Sequence, residues 1–418
     1  MIRGIKGVKD ILPEEVARWQ AIEAAARRLA SEYGYQEIRI PIFEVTELFA
    51  RSIGASTDIV EKEMYTFHDR DGTSLTLRPE GTAGAVRSYI EHNLAASPTA
   101  QKLYYLGPMF RHERPQAGRL RQFHQFGIEL LGTVNPCADV EVIALLWAFL
   151  TELGLPGLTL EMNSLGSAMD RPAYKAILLD HLKQREDRLC ANCRRRMGTN
   201  PLRVLDCKTP ACCAATEDAP TMLEHLSAES RRQFEEVLNG LRALAIPFTL
   251  NPRLVRGLDY YTLTAFEVTA RDLGAQNAVG AGGRYDGLVE ALGGPPIPAV
   301  GFAVGLERIS LMLPATAVPP PPKSVFVAAF GAVGAPAGFR ILYDLRRLGI
   351  RADTDYRASG LKGLLRQADR LGAALAVIVG DDEATNGRAI VRNMVTKLQE
   401  ELPLSTVSQV LAKRLTSS

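Results

Sequence analysis

Neither of the common glycine-built phosphate cradles occurs in this 418-residue chain: there is no G-x-x-x-x-G-K-[ST] and no clean G-x-G-x-x-G. A nucleotide bound here must therefore be held by side chains. No run of about 18 apolar residues appears, which argues against a membrane span. The opening MIRGIKGVKDILPEE is interspersed with charges and has no apolar h-region, so it does not read as a secretory signal. Six cysteines in a chain of this length are too few for a disulfide scaffold, and a reducing cytoplasm is the expected setting. Charge of one sign is also scarce. The net charge is only +2, so a nucleic-acid partner would be held by local basic patches, not by the overall field. No fixed-period repeat is visible.

What is present is an ordinary globular balance, 46% apolar and 23% charged, long enough for two or three domains. Val16, Trp19, Ile22, Ala26 and Leu29 recur near helical spacing and predict a helix over 13–33. Ile38–Ile42 alternates as a strand, with Pro41 marking an edge or an interface. Segments 74–78, 102–107 and 125–131 read as strands and 139–153 as a helix. Residues 170–245 are polar, helix-prone and hold five of the six cysteines, which marks an insertion. Strand-like runs return at 254–270 and 276–286, and a helix is expected from about 305. The mixture lacks regular βαβ alternation, so it favours an α+β fold with an antiparallel sheet flanked by helices. Pro319–Pro322 reads as a stiff linker. After it, strand and helix alternate (helices at 336–348 and 360–372) in a module of roughly 95 residues.

Between two apolar strands, Phe110–Glu129 (FRHERPQAGRLRQFHQFGIE) packs four arginines, two histidines and two glutamates. A charge run alone is usually a solvated hairpin. Arginine, however, grips phosphate with two parallel charge-assisted bonds. Arg111, Arg119 and the distant Arg308, in Gly305-Leu306-Glu307-Arg308, could together neutralise a triphosphate.

These strings carry a family resemblance. Phe110–Glu113 followed by Arg121–Glu129 resembles motif 2 of the class II aminoacyl-tRNA synthetases, and Gly301–Arg308 resembles motif 3. The segment around Pro41 is similar to motif 1, a dimer-interface element of that class. Leu254–Tyr261 (LVRGLDYY) and Gly282–Leu288 (GGRYDGL) resemble the two histidine-specific signatures of histidyl-tRNA synthetase, and Leu77–Thr82 (LRPEGT) matches that family's amino-acid-binding loop. The resemblance runs through nearly the whole chain. It implies a catalytic core in two parts (1–169 and 246–318), the insertion at 170–245, a linker at 319–323 and an α/β anticodon-binding domain at 324–418.

The resemblance also implies chemistry: histidine and ATP form histidyl-adenylate and pyrophosphate, and the histidyl group then passes to the 3′ end of tRNA(His). Arg111 would bridge the α-phosphate and the histidine carboxylate, with Arg256 opposite, where sister enzymes hold a metal ion. Arg119 and Arg308 would hold the outer phosphates, Glu113 the adenine, and Mg²⁺ would accompany the pyrophosphate part. Glu80, Thr82 and Gln125, in the loop with Gly81, match the grip on the α-ammonium. Glu129 and Tyr261 match the imidazole contacts, with Tyr260 and Tyr285 lining the pocket. A site that hydrogen-bonds its substrate in this way discriminates by about 10⁴–10⁵, so no editing domain is required. A homodimer in the cytoplasm, without membrane attachment, is what the family implies.

Each string alone has a plainer meaning. Arg256–Asp259 could be a salt-bridged turn, Tyr260–Tyr261 a core aromatic pair, Gly282–Gly283 a bulge, and Glu80 a helix-start residue. Two other functions compete. One is a non-catalytic regulator of histidine biosynthesis, a paralogue lacking the C-terminal module; the other is a synthetase for proline or threonine. Retention of all four arginines argues against the first, and the two histidine signatures argue against the second. Within the insertion, Cys190, Cys193, Cys207 and Cys212 follow C-x₂-C-x₁₃-C-x₄-C. Four thiolates could hold zinc, but the second spacing is loose and Cys213 is left over, so reduced cysteines without metal are expected. Arg194–Arg196 in the same insertion reads by default as a solvated basic face; the family resemblance implies that the insertion lies near the tRNA acceptor stem, where these arginines would contact phosphates.

Overall fold

The structure is a computed structural model that describes residues 2–54, 57–271, 277–357 and 360–416. The chain forms two compact units, Met1–Pro319 and Pro320–Ser418. Among the described residues no helix is long and apolar enough to cross a membrane.

An eight-stranded sheet organises the first unit. Its order is Gln36–Glu37, Gln101–Phe110, Gln122–Leu131, Ala299–Gly305, Ala278–Arg284, Thr262–Ala270, Leu158–Ser164 and Thr249–Leu250. The six long strands are antiparallel neighbours, and only the two-residue strands at the edges pair in parallel. Helix Pro13–Glu32 begins with proline at its first turn beside Glu14 and Glu15, which complement the positive end of the helix dipole. Its Trp19, Ile22, Ala26 and Leu29 join one core with Phe126, Ile128 and Phe149. Helix Pro136–Glu152 covers the same face and starts at Asn135, whose side chain accepts from the Cys137 N–H at 2.9 Å.

Three elements differ from expectation. Ile38–Ile42 is not a strand; short strands lie on either side, at Gln36–Glu37 and Phe43–Val45. The carbonyls of Ile40 and Pro41 are taken by the buried Arg78 guanidinium at 2.7 and 3.3 Å, a side-chain substitute for a sheet ladder. The strand expected over 254–270 begins only at Thr262, because 254–261 turns to present Arg256 and the tyrosines. The strand expected over 276–286 spans Ala278–Arg284, and Gln276 lies outside the described residues.

Within 170–245 the chain is helical throughout, with helices Arg171–Lys183, Ala191–Thr199, Pro210–Ala215 and Ala228–Ala243. The second unit is a five-stranded mixed sheet with helices Gly334–Arg347, Leu361–Arg370 and Val407–Thr416.

Candidate active site

The neighbouring strands Gln122–Leu131, Ala299–Gly305 and Ala278–Arg284, with adjoining loops, line a cleft of about 650 Å³. Arg111, Arg119, Arg256 and Arg308 all stand on its wall. They come from the end of one strand, the turn after it, a distant loop and the helix Leu306–Met312. Charges of one sign do not crowd together unless carboxylates or a ligand offset them, and carboxylates are present. Arg119 is ion-paired with Glu113, with a second contact at 2.8 Å from Nη2. Arg256 Nη1 donates to Glu267 Oε2 at 2.6 Å, and its guanidinium lies 5.5 Å from the Tyr261 ring centroid. Arg256 Nε is buried without a hydrogen-bond partner. Arg111 Nε donates to the Pro79 carbonyl at 2.8 Å while the guanidinium covers the Phe123 ring at 5.4 Å. Arg308 donates to the Ala278 carbonyl.

Burial lowers the pKa of Arg111, Arg119 and Arg308. Arg256 goes the other way: burial pulls it down, but the Glu267 carboxylate and Tyr261 outweigh that pull.

Glu80, Thr82, Glu129, Tyr260, Tyr261 and Tyr285 are not among the residues lining this cleft; they are gathered separately, and the two carboxylates are only 3% and 1% exposed. Both Glu80 oxygens cap the helix Thr82–Glu91, accepting from the Thr82 and Ala83 N–H groups at 2.7 and 2.8 Å. Thr82 Oγ1 donates to Glu129 at 2.7 Å, and the Tyr285 hydroxyl is hydrogen-bonded to the other Glu129 oxygen. Burial pushes the Glu129 carboxyl up to about 8, against the lowering effect of these hydroxyls. Glu80 is raised for the same reason. Tyr260, Tyr261 and Tyr285 form a ring cluster with centroids 4.7 to 6.4 Å apart. Gln125 Oε1 is buried and unpartnered.

Several residues here were not singled out from the sequence. Glu267 holds Arg256, and its signal was the lone charged residue in the strand Thr262–Ala270. Glu307 pins the helix of Arg308 to the neighbouring strand by accepting from the His124 N–H at 2.9 Å. Arg284, inside the second histidine signature, makes a buried ion pair with Asp139 instead of facing the cleft. Tyr105 gave no signal at all. Its ring is packed between Gly81 and Gly127, where a β-carbon on either glycine would overlap it.

An antiparallel sheet with an arginine-lined cleft and a separate C-terminal α/β unit defines the class II aminoacyl-tRNA synthetases. Comparison with known proteins narrows the class. The description "Histidyl-tRNA synthetase" matches residues 7–309, and "Anticodon binding domain" matches 326–414. The chain is 50% identical to the histidine--tRNA ligase of Syntrophotalea carbinolica over 99% of both chains, and 52% identical to that of Moorella thermoacetica over 96% of both. The crystal structure of apo S. aureus histidyl-tRNA synthetase superposes with a TM-score of 0.84 at 39% identity, covering 99% of this chain and 100% of that one. The chain belongs to the histidyl-tRNA synthetase family.

Proposed function

We propose that the cleft binds ATP and histidine side by side, joins them as histidyl-adenylate, and passes the histidyl group to tRNA(His). The observation that carries this reading is the meeting of four arginines from three separate segments of the chain in one cleft. The attacking carboxylate and the α-phosphate are both anions, so the protein's task is to hold them together and to offset charge that grows on the phosphate. Arg111 and Arg256 take that role from opposite sides, while Arg119 and Arg308 take the β- and γ-phosphates. In the structure Arg119 rests on Glu113 and Arg256 on Glu267. ATP, which brings its own Mg²⁺, exchanges one anionic partner of each arginine for another, and Glu113 is released to the adenine amino group.

On the amino-acid side the unpartnered Gln125 Oε1 suits an ammonium donor, together with Glu80 and Thr82. Glu129 accepts from one ring nitrogen and Tyr261 serves the other, with Tyr260 and Tyr285 shaping the pocket. An apolar amino acid would leave these buried polar groups unpaired, which is the source of specificity.

Three coarser features complete the reading. The unit Pro320–Ser418 is the anticodon reader. Two chains associate through the surface around Pro41, where Ile42, Phe43, Val45 and Phe67 are each more than 40% exposed, an unusual apolar density. The protein works in a reducing cytoplasm, in keeping with six cysteines that form no disulfide. Histidine-dependent ATP–pyrophosphate exchange, run against a panel of amino acids, tests the activity. Exchange with histidine alone supports it; exchange with proline or threonine, or none, overturns it.

A further inference from the structure

The insertion contains a cluster that the synthetase chemistry does not use. Cys190 precedes the helix Ala191–Thr199, Cys193 lies in its first turn, Cys207 follows the short turn Pro201–Val204, and Cys212 lies in the helix Pro210–Ala215. Their four sulfur atoms all lie within 4.8 Å of one another. The loose x₄ spacing that argued against a metal is absorbed by the helix Pro210–Ala215, which returns Cys212 to the other three. Disulfide formation would join sulfurs in pairs at about 2.0 Å. Four sulfurs around one point instead suit a tetrahedral ion: Zn–S bonds of about 2.3 Å place neighbouring sulfurs about 3.8 Å apart, within about 1 Å of the spacing here.

The gathering is selective. Cys213, adjacent in sequence, stays out of the cluster and donates its thiol to the Cys207 carbonyl at 3.0 Å. The Cys190 N–H donates to Cys212 Sγ at 3.1 Å, an outer contact of the kind that steadies negative charge on sulfur. Cys193 and Cys212 are buried, and Cys190 and Cys207 half-buried, so water has limited access. The surrounding elements have 9, 4 and 6 residues, too short to persist without packing or a staple.

We propose that Cys190, Cys193, Cys207 and Cys212 bind a structural Zn²⁺ ion. With four thiolates the coordination is closed, so the ion does no chemistry. Its task is mechanical, because the segment it ties braces the loop of Arg256 on both sides. Asn200 Nδ2 donates to Asp259 at 2.8 Å, Arg203 Nη1 to the Gly257 carbonyl at 3.0 Å, and Arg253 Nη2 to Thr216 Oγ1 at 2.6 Å. That consequence rests on the role proposed for Arg256; the metal site itself does not.

The test is the zinc content of the full-length protein, produced with zinc in the medium and purified without chelator. About one equivalent per chain is expected, retained in Cys213→Ser and Cys137→Ser and falling below about 0.2 in Cys193→Ser and Cys212→Ser. If those two variants do not fold, titrating the wild type with a mercurial is the second measurement, and zinc release in step with loss of four thiols is expected. Wild type below about 0.2 equivalents after incubation with zinc overturns the proposal, as does equal zinc in Cys193→Ser and Cys213→Ser. Fewer than six titratable thiols in denatured, unreduced and metal-free protein would overturn it in favour of disulfides. Zinc bound at one equivalent with no histidine-dependent exchange would leave the site standing and remove the role of Arg256.

Discussion

On the arginine-lined wall of the cleft, the proposed phosphate side, Arg119 and Arg256 each rest on a carboxylate, and the Arg119 side chain is one-third exposed. In the proposed histidine pocket, Glu80 and Glu129 are sealed from water and held by hydroxyls and backbone N–H groups. The first arrangement keeps fixed positive charge in place with partners that an incoming anion can replace. The second uses burial to raise carboxyl pKa values, so the pocket is built from groups that are costly to leave unpaired. In the proposed function one region supplies field, the other discrimination. Substitutions in the two regions should therefore fail differently.

The largest effect is expected on the phosphate side. Arg256→Ala should slow adenylate formation by roughly 10²–10³, the usual cost of one lost transition-state donor, with histidine affinity much less affected. Pyrophosphate exchange checks this, and near-normal exchange would remove Arg256 from the mechanism. Glu129→Gln should act on the other side, raising the KM for histidine by roughly 10–100-fold, the cost of leaving one buried hydrogen-bonding group unpaired, with little change for ATP. Equal effects on both KM values would erase the contrast between the regions.

Gly127→Ala sharpens the comparison sterically. The added methyl overlaps the Tyr105 ring at the floor of the amino-acid side, so a loss of about 1–3 kcal/mol is expected in thermal or urea unfolding. An unchanged melting temperature would mean the ring moves freely, and the pocket is not preorganised there.

The smallest effect concerns protons. The folded-state pKa of Glu129 is about 8, above the ordinary value of 4.5. A group raised on folding contributes stability that is fully present below its unfolded pKa and is lost as pH rises through the folded one. The wild type should therefore lose stability relative to Glu129→Gln between about pH 6 and 8, by about 1 kcal/mol per pH unit. Parallel melting curves for the two proteins across that range would show that Glu129 is ionised throughout.

The same contrast decided what could be read from the sequence. Arg111, Arg119 and Arg308 were conspicuous because charge between apolar strands demands an explanation. The long strands and helices followed from periodicity, since packing honours it. Ile38–Ile42 alternates without forming a strand because the guanidinium of Arg78 satisfies carbonyls that a strand would have given to its neighbour, and no pattern of alternation encodes a side-chain substitute. Tyr105 escaped because its importance lies in two glycines on different elements that meet only in three dimensions. Arg284 looked like part of a substrate signature, yet it pairs with Asp139, more than a hundred residues away, and anchors the end of its own strand just before Tyr285.

The most direct measurement is a crystal structure with ATP, Mg²⁺ and histidinol, an unreactive histidine analogue lacking the carboxylate. The account places guanidinium nitrogens of Arg111, Arg119, Arg256 and Arg308 within hydrogen-bonding distance, about 3 Å, of phosphate oxygens, and the imidazole against Glu129. Phosphates held by backbone amides away from those arginines, or an imidazole remote from Glu129, would contradict it.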